Sequence, residues 1–233
     1  MTDEMTSTSA TRVDFALPWQ TLSDLASVSA TCSTDDARPI LTAIHLVSDG
    51  TTVTATATDS YALAIVTTSG ANVTSPPEWI APAFDVLIPA TWLNAALKAT
   101  KPGRFPRWAV RLTLEPDERG GTVTLSTLAA DVSTSGPLML GDYPKTAQLV
   151  PTAAQYVHER AAFNAAFLAR MAKILPPDTG KRAGAPAPWV CEMMSEARPS
   201  VWTCEMMSEA RPSVWTTKVR DCEGLFLLMP VRQ

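Results

Sequence analysis

The sequence predicts an α+β protein with helices laid on one face of antiparallel sheets. Two observations lead there. A strand, a helix and a run of further strands recur in that order three times along the 233 residues. The strand runs are short, rich in Thr and Val, and separated by polar turns. Composition agrees: 46% hydrophobic and 18% charged residues suffice for a buried core in one or two domains.

The first unit opens with VDFALPW (13–19), which alternates as a strand does. QTLSDLASVSATC (20–32) then places Leu22, Leu25, Ala26 and Ser29 on one helical face, and STDDARP is a loop. ILTAIHLVSDG (40–50) is a strand ending in the turn pair Asp49-Gly50, and TTVTATATDSYALAIVTT (51–68) holds one or two more strands. In the second unit, FDVLIPA (84–90) is a strand and ATWLNAALKAT (90–100) a helix stopped by Pro102-Gly103. WAVRLTLEP (108–116) and GTVTLSTLAADVSTS (121–135) are strands joined by a polar turn. The third unit has a short strand at 156–159 and a helix over AAFNAAFLARMAKIL (161–175), ended by Pro176-Pro177. A Pro- and Gly-rich loop follows, and WVCEMM, SVWT and GLFLLMPVR read as strands.

Several function classes are disfavoured. A net charge of −4 is not that of a generally basic nucleic-acid binder, so contact with phosphate requires a local basic face. No apolar run approaches a bilayer span. MTDEMTSTSATR lacks a signal pattern; residues 1–11 read as a disordered lead and the protein as cytoplasmic. The four cysteines, Cys32, Cys191, Cys204 and Cys222, form no CxxC pair and read as free thiols rather than metal ligands. No catalytic or cofactor-binding constellation stands out. Gly180-Lys181 lacks the glycine spacing of a phosphate loop, His45 and His158 stand apart, and Asp59 in ATDSY reads as a turn or strand-end residue.

Three segments resemble the bacterial replicative sliding clamp, the beta subunit of DNA polymerase III. They are RPILTAIHLVSDGTTVTATATDSYALAI (38–65), GDYPKTAQLVP (141–151) and LFLLMPVRQ (225–233). The ATDxYxLA strand, the GxYPxxxxLVP linker and the MPVR ending occur in the family's order. The resemblance implies the sliding-clamp fold of repeated βαβββ units, in shortened form. Residues 12–151 would correspond to the clamp's middle domain and residues 152–233 to the second half of its last domain. It further implies a non-catalytic processivity factor, a homo-oligomer that encircles double-stranded DNA without sequence preference. Short peptide motifs would tether a DNA polymerase and a clamp loader. The alternative is a clamp-like competitor or regulator that binds the same peptides without closing a ring.

Matched position by position, the peptide groove implied by the family would use Leu41, Thr58, Ser60, Tyr61 and Leu63 from the first unit. Pro144, Gln148 and Leu149 would come from the linker, and Leu227, Met229, Val231 and Arg232 from the C-terminal strand. Leu, Met and Val make an adaptable apolar floor. Gln148 departs from the basic residue that bacterial clamps often carry there. Replacing Met229 and Leu63 with Ala is expected to abolish peptide binding and leave the fold intact. The implied DNA-facing residues are Lys98, Lys101 and Arg104 around the end of the second helix, with Arg170 and Lys173 on the third. On that third helix Asn164, Leu168, Met171 and Leu175 share the opposite face. Arg107 and Arg111 could supplement the set, whereas the polar face of the first helix offers Ser23, Asp24 and Ser27 and no cation.

One feature lies outside these motifs. CEMMSEARPSVWT, residues 191–203, is repeated without change at 204–216. Two copies are too few for a solenoid. One copy supplies the strand, turn and strand that a clamp domain needs here, so the second is surplus. Thirteen is odd, and threading it through a strand would turn Glu192 or Glu205 toward apolar surroundings. Lengthening a loop threefold costs only about 1 kcal/mol. One copy's worth is therefore expected to be extruded from the sheet edge.

Overall fold

The computed structural model describes residues 12–68, 82–102, 109–128, 132–149, 169–170 and 173–174 in full, and the backbone of residues 190–193, 213–219 and 222–228. Both described helices begin in the same way. Strand β1 (Val13–Pro18) runs directly into α1 (Trp19–Ala26), and β5 (Phe84–Pro89) runs directly into α2 (Ala90–Ala99). A proline ends each strand and caps each helix. It has no N–H to leave unpaired at a helix start, and its φ suits both neighbours.

α1 is shorter than the expected 20–32. It tightens at Ser27 into a 3-10 turn, Ser27–Thr31. Ser27 and Ser29 are poor helix formers, and the Ser27 hydroxyl donates to the Asp24 carbonyl at 2.6 Å, competing with the helical pattern. The strand expected from residue 40 begins only at Ala43, because Pro39 opens a 3-10 turn, Pro39–Thr42. β2 (Ala43–Ser48), β3 (Val53–Thr58) and β4 (Ala62–Thr68) then form a meander. β6 (Ala109–Glu115), β7 (Thr122–Thr127) and β8 (Ser133–Pro137) form its counterpart in the second unit. The third unit contributes β9 (Val190–Met193), β10 (Ser213–Val219) and β11 (Cys222–Leu228).

The two sheets are built by exchange. β1 leaves its own unit to pair with β6, giving the order β1-β6-β7-β8; β5 pairs with β2 in the order β5-β2-β3-β4-β11-β10-β9. The registers bring apolar partners together: Phe15 opposite Leu112, Leu17 opposite Val110, Ile44 opposite Ile88 and Leu46 opposite Val86. Leu22, Leu25, Leu93 and Leu97 of the helices pack into one core with the inner faces of both sheets. The exchanged strands meet at the stacked rings of Phe15 and Phe84, 5.1 Å apart. Asn94 of α2 donates to the Ser29 hydroxyl at 3.0 Å, and the Trp19 indole donates to the Leu97 carbonyl at 3.3 Å, so the helices are tied side by side. On β8, Gly136 has no space for a side chain because Trp92 of α2 lies across it.

The third unit joins through β4. Antiparallel pairing runs from Thr68 opposite Cys222 to Ala62 opposite Leu228. Ile174 sits fully buried in the common core. The expected short strand at 156–159 and most of the expected helix at 161–175 fall outside the described residues.

The duplicated segment has a definite register at its ends. Met193, in the first copy, pairs with Ser213, in the second, and Cys191 pairs with Trp215. Ser213 is the counterpart of Ser200. The hairpin therefore makes the pairing that one copy would make, with thirteen more residues between its strands. Residues 194–212 lie outside the described residues. Because the copies are identical, deleting 204–216 gives the same chain as removing any full repeat length from within the pair, and this register survives. Thermal unfolding of that deletion variant is expected at an equal or higher midpoint. A drop of several degrees, about 1–2 kcal/mol for a chain of this size, would show that the extra copy packs.

Candidate partner groove and cationic surface

The turn between β3 and β4, Thr58-Asp59-Ser60-Tyr61, is held by its own side chains. One Asp59 carboxylate oxygen, Oδ1, accepts the Tyr61 and Ala62 N–H groups at 2.9 and 2.8 Å. The Thr58 hydroxyl donates to the Ala62 carbonyl at 2.7 Å and accepts the Ser60 N–H at 3.1 Å. Ser60 is forced into the left-handed region at φ +79°, a conformation that non-glycine residues adopt at a cost. Arg38 donates to the Ser60 hydroxyl at 3.2 Å. The result is a rigid lip from which Tyr61 projects, 50% exposed. Asp59 thus serves the turn, and its second oxygen, Oδ2, accepts Arg170 Nη1 at 2.6 Å.

Strand alternation puts this lip at the edge of a second apolar surface. In β2 and β4 the residues Ile44, Leu46, Ala62, Ala64 and Val66 belong to the helix-side core. The intervening Ala43 and Leu63 are also fully buried but lie outside that core cluster. They face the other side of the sheet, and the linker covers that side. The Met139 N–H donates to the Leu87 carbonyl at 2.8 Å. Gly141, at φ +147°, passes against the end of the Ile40 side chain, where a Cβ would collide. Tyr143 stacks on His45 with ring centroids 4.7 Å apart, and His45 Nε2 shares a 2.7 Å hydrogen bond with Asp85. The Tyr143 hydroxyl is buried beside the Thr58 backbone without completing a well-formed hydrogen bond. Burial pushes that phenol well above its ordinary range. Beyond Tyr143 the chain makes a 3-10 turn, Thr146–Leu149, in which Gln148 and Leu149 are exposed.

The residues expected to form a groove differ in their settings. Tyr61, Pro144, Gln148 and Leu149 are exposed and available to a ligand. Leu41, Thr58 and Leu63 are buried, at 7%, 8% and 1% exposure, and Thr58 spends its hydroxyl on the turn. Ser60 is exposed and engaged by Arg38. The β4–β11 register places Leu227 opposite Leu63. Met229, Val231 and Arg232 lie outside the described residues. Arg38, His45 and Tyr143 were not assigned roles from sequence. Tyr143 had a usable signal, an aromatic ring inside the otherwise small and polar GDYPK stretch.

The cations also divide. Lys98, in the last turn of α2, and Lys101 just beyond it are exposed, as is Lys173. Arg104 and Arg107 lie outside the described residues. Arg170 departs from the expected outward face. It is half-buried, its Nε donates to the Ala30 carbonyl at 2.9 Å and its Nη1 pairs with Asp59. Arg111 alternates with the core residues Val110 and Leu112, so it points away from the helices and does not supplement their cations. Asp24 is 2% exposed rather than on a polar helix face, and accepts the Gln20 amide at 3.1 Å. Among the described residues, no helix is long and apolar enough to cross a membrane.

No protein-family profile and no curated protein matches the chain. Solved structures do. The beta subunit from the DNA polymerase of Streptococcus pyogenes superposes with a TM-score of 0.66 at 16% identity, covering 94% of this chain and 66% of that one. The DNA polymerase III beta chain of Streptococcus pneumoniae TIGR4 gives 0.63 at 18% identity, with 94% and 65% covered. The DNA polymerase sliding clamp of Pseudomonas aeruginosa gives 0.62 at 12% identity, with 95% and 67% covered. The chain therefore has the sliding-clamp fold and spans about two thirds of the length of these clamps.

Two measurements check this geometry. Ser60→Gly relieves the positive φ and is expected to raise the unfolding free energy by about 0.5–1 kcal/mol, read as a higher urea midpoint at unchanged slope. The second uses Cys32. Burial pushes its thiol up to about 12 from an ordinary 9.0, with the Arg170 charge pulling the other way. The unfolded chain then loses this proton at lower pH than the folded chain. Its contribution to stability is whole below pH 9 and is lost as pH rises from 9 toward about 12. Urea unfolding between pH 7 and 11 should show this decline, and Cys32→Ala should make it shallower.

Proposed function

We propose that this chain is a DNA sliding clamp, a non-catalytic processivity factor that holds a DNA polymerase and a clamp loader through short apolar peptides. The observation that carries the proposal is the division of labour across one sheet. The helices, with Lys98 and Lys101, lie on one side; the Tyr61 lip and the Tyr143–Leu149 linker meet on the other. A clamp needs both sides, one that tolerates any DNA sequence through phosphate contacts and one that grips a partner. On this reading residues 12–151 form a complete clamp domain and residues 152–233 a half domain, so several chains assemble to surround double-stranded DNA in the cytoplasm. In a second reading, the chain binds clamp-seeking peptides without closing a ring.

Light scattering combined with retention on DNA separates the two. A clamp is expected as an oligomer that stays on a nicked circle and is lost from the ends of linear DNA. A monomer with equal affinity for both forms would leave only the second reading. Replacing Lys98, Lys101 and Lys173 with Ala should weaken DNA association and flatten its salt dependence, by about 0.9 in log–log slope for each phosphate contact removed. For the groove, Leu63→Ala is unsuitable: at 1% exposure it would cost about 2–5 kcal/mol of stability, and the Met229/Leu63 pair would not leave the fold intact as expected above. Tyr61→Ala with Leu149→Ala changes exposed side chains. That variant should unfold as the wild type does and bind a polymerase-derived peptide at least about tenfold more weakly, a loss of 1.4 kcal/mol, by fluorescence anisotropy.

A further inference from the structure

We infer that Arg170 is a positioning residue for the partner groove. It clasps the Asp59 turn from the third unit and keeps the Tyr61 lip in its binding form. The inference rests on the groove reading above and deepens it.

Arg170 lies 111 residues from Asp59 and 140 from Ala30, yet its guanidinium reaches both. Nη1 pairs with Asp59 Oδ2 at 2.6 Å and Nε donates to the Ala30 carbonyl at 2.9 Å. The two oxygens of Asp59 have separate tasks. Oδ1 holds the N–H groups of Tyr61 and Ala62, and Oδ2 takes the guanidinium. Rotating the carboxylate to satisfy water at one oxygen would release the turn at the other. Arg170 blocks that rotation, and it is itself fixed at two points by a rigid planar fork.

The pair is shielded, with side-chain exposures of 24% and 15%, so solvent and salt screen it less than a surface ion pair. Four residues on, Ile174 is fully buried in the common core and anchors the segment. The lip needs such support. Ser60 sits at positive φ, and a strained turn persists only where its surroundings over-determine it. Thr58 and Arg38 supply local restraints, whereas Arg170 supplies one from a distant part of the chain. Ordering the lip and docking this segment are therefore coupled, and by linkage a ligand on the lip stabilises the docked segment.

The test measures amide exchange at Tyr61 and Ala62, and affinity for a polymerase-derived peptide, in the full-length wild type, R170Q, R170K, D59N and R170Q/D59N. R170Q is expected to speed exchange at both amides and to weaken the peptide about tenfold. R170K keeps the charge without the fork and should recover part of each effect, which also covers the case of R170Q folding poorly. The double variant should bind no more weakly than D59N alone, since Arg170 acts through Asp59. Unchanged exchange in R170Q and R170K, unchanged peptide affinity, or losses that add in the double variant would each overturn the positioning role. Accelerated exchange in R170Q together with no peptide binding by the wild type would overturn the groove reading on which the role rests.

Discussion

The exchange of first strands between neighbouring units governs this fold. A strand, helix and three-strand meander cannot cover its own apolar face with one two-turn helix. By sending β1 to β6 and β5 to β2, the first two units share both sheets and both helices in one core. The exchange also sets the helices' position. Each follows its exchanged strand through a single proline, so α1 and α2 emerge side by side on the inner faces. The cations of α2, the Trp92–Gly136 contact and the Asn94–Ser29 hydrogen bond all follow from that placement.

Period-2 alternation then gives the longer sheet a second use. Ala62, Ala64 and Val66 serve the helix-side core, while Leu63 is buried on the reverse under other parts of the chain. Small residues on the helix side let α1 and its 3-10 extension approach closely. The reverse side is covered by the linker, through the Tyr143–His45 stack and the Met139–Leu87 bridge. The Asp59 turn lies where β3 reverses into β4, within reach of both surfaces. One carboxylate can therefore organise the lip and receive a guanidinium from the helix side.

Much of this was legible in the sequence because it is local. The strands from 13 to 127, the two helices and the turn role of Asp59 follow from alternation, helical spacing and turn chemistry, whereas the stretch read as 121–135 divides into β7 and β8. The differences are physical. Ser27 and Pro39 each start a 3-10 turn where a periodic pattern extends a helix or strand. Charge misleads most. Arg170 and Asp24 resemble surface residues because burying an unpaired charge is expensive. Asp59, the partner that changes the balance for Arg170, is 111 residues away, beyond any local window. Arg111 needed only the parity of its strand. The β4–β11 register sets Leu63 opposite Leu227, but motif matching does not separate a residue that touches a ligand from one, such as Thr58, that shapes the turn beneath it.

The third unit joins by a different route from the first two. Its three described strands extend the longer sheet beyond β4. β11 pairs with β4 along its full length, Ile174 enters the shared core, and Arg170 reaches across to Asp59. These contacts tie the described part of the third unit to the first two through β4, the core and the Asp59 turn. β9 is the strand farthest from β4 in the sheet order, and the thirteen additional residues enter between β9 and β10, away from the seam. The same insertion between β10 and β11 would act directly on the strand that faces Leu63. The fold thus places tolerance at the edge and constraint at the seam, where the lip, the linker and the third unit meet.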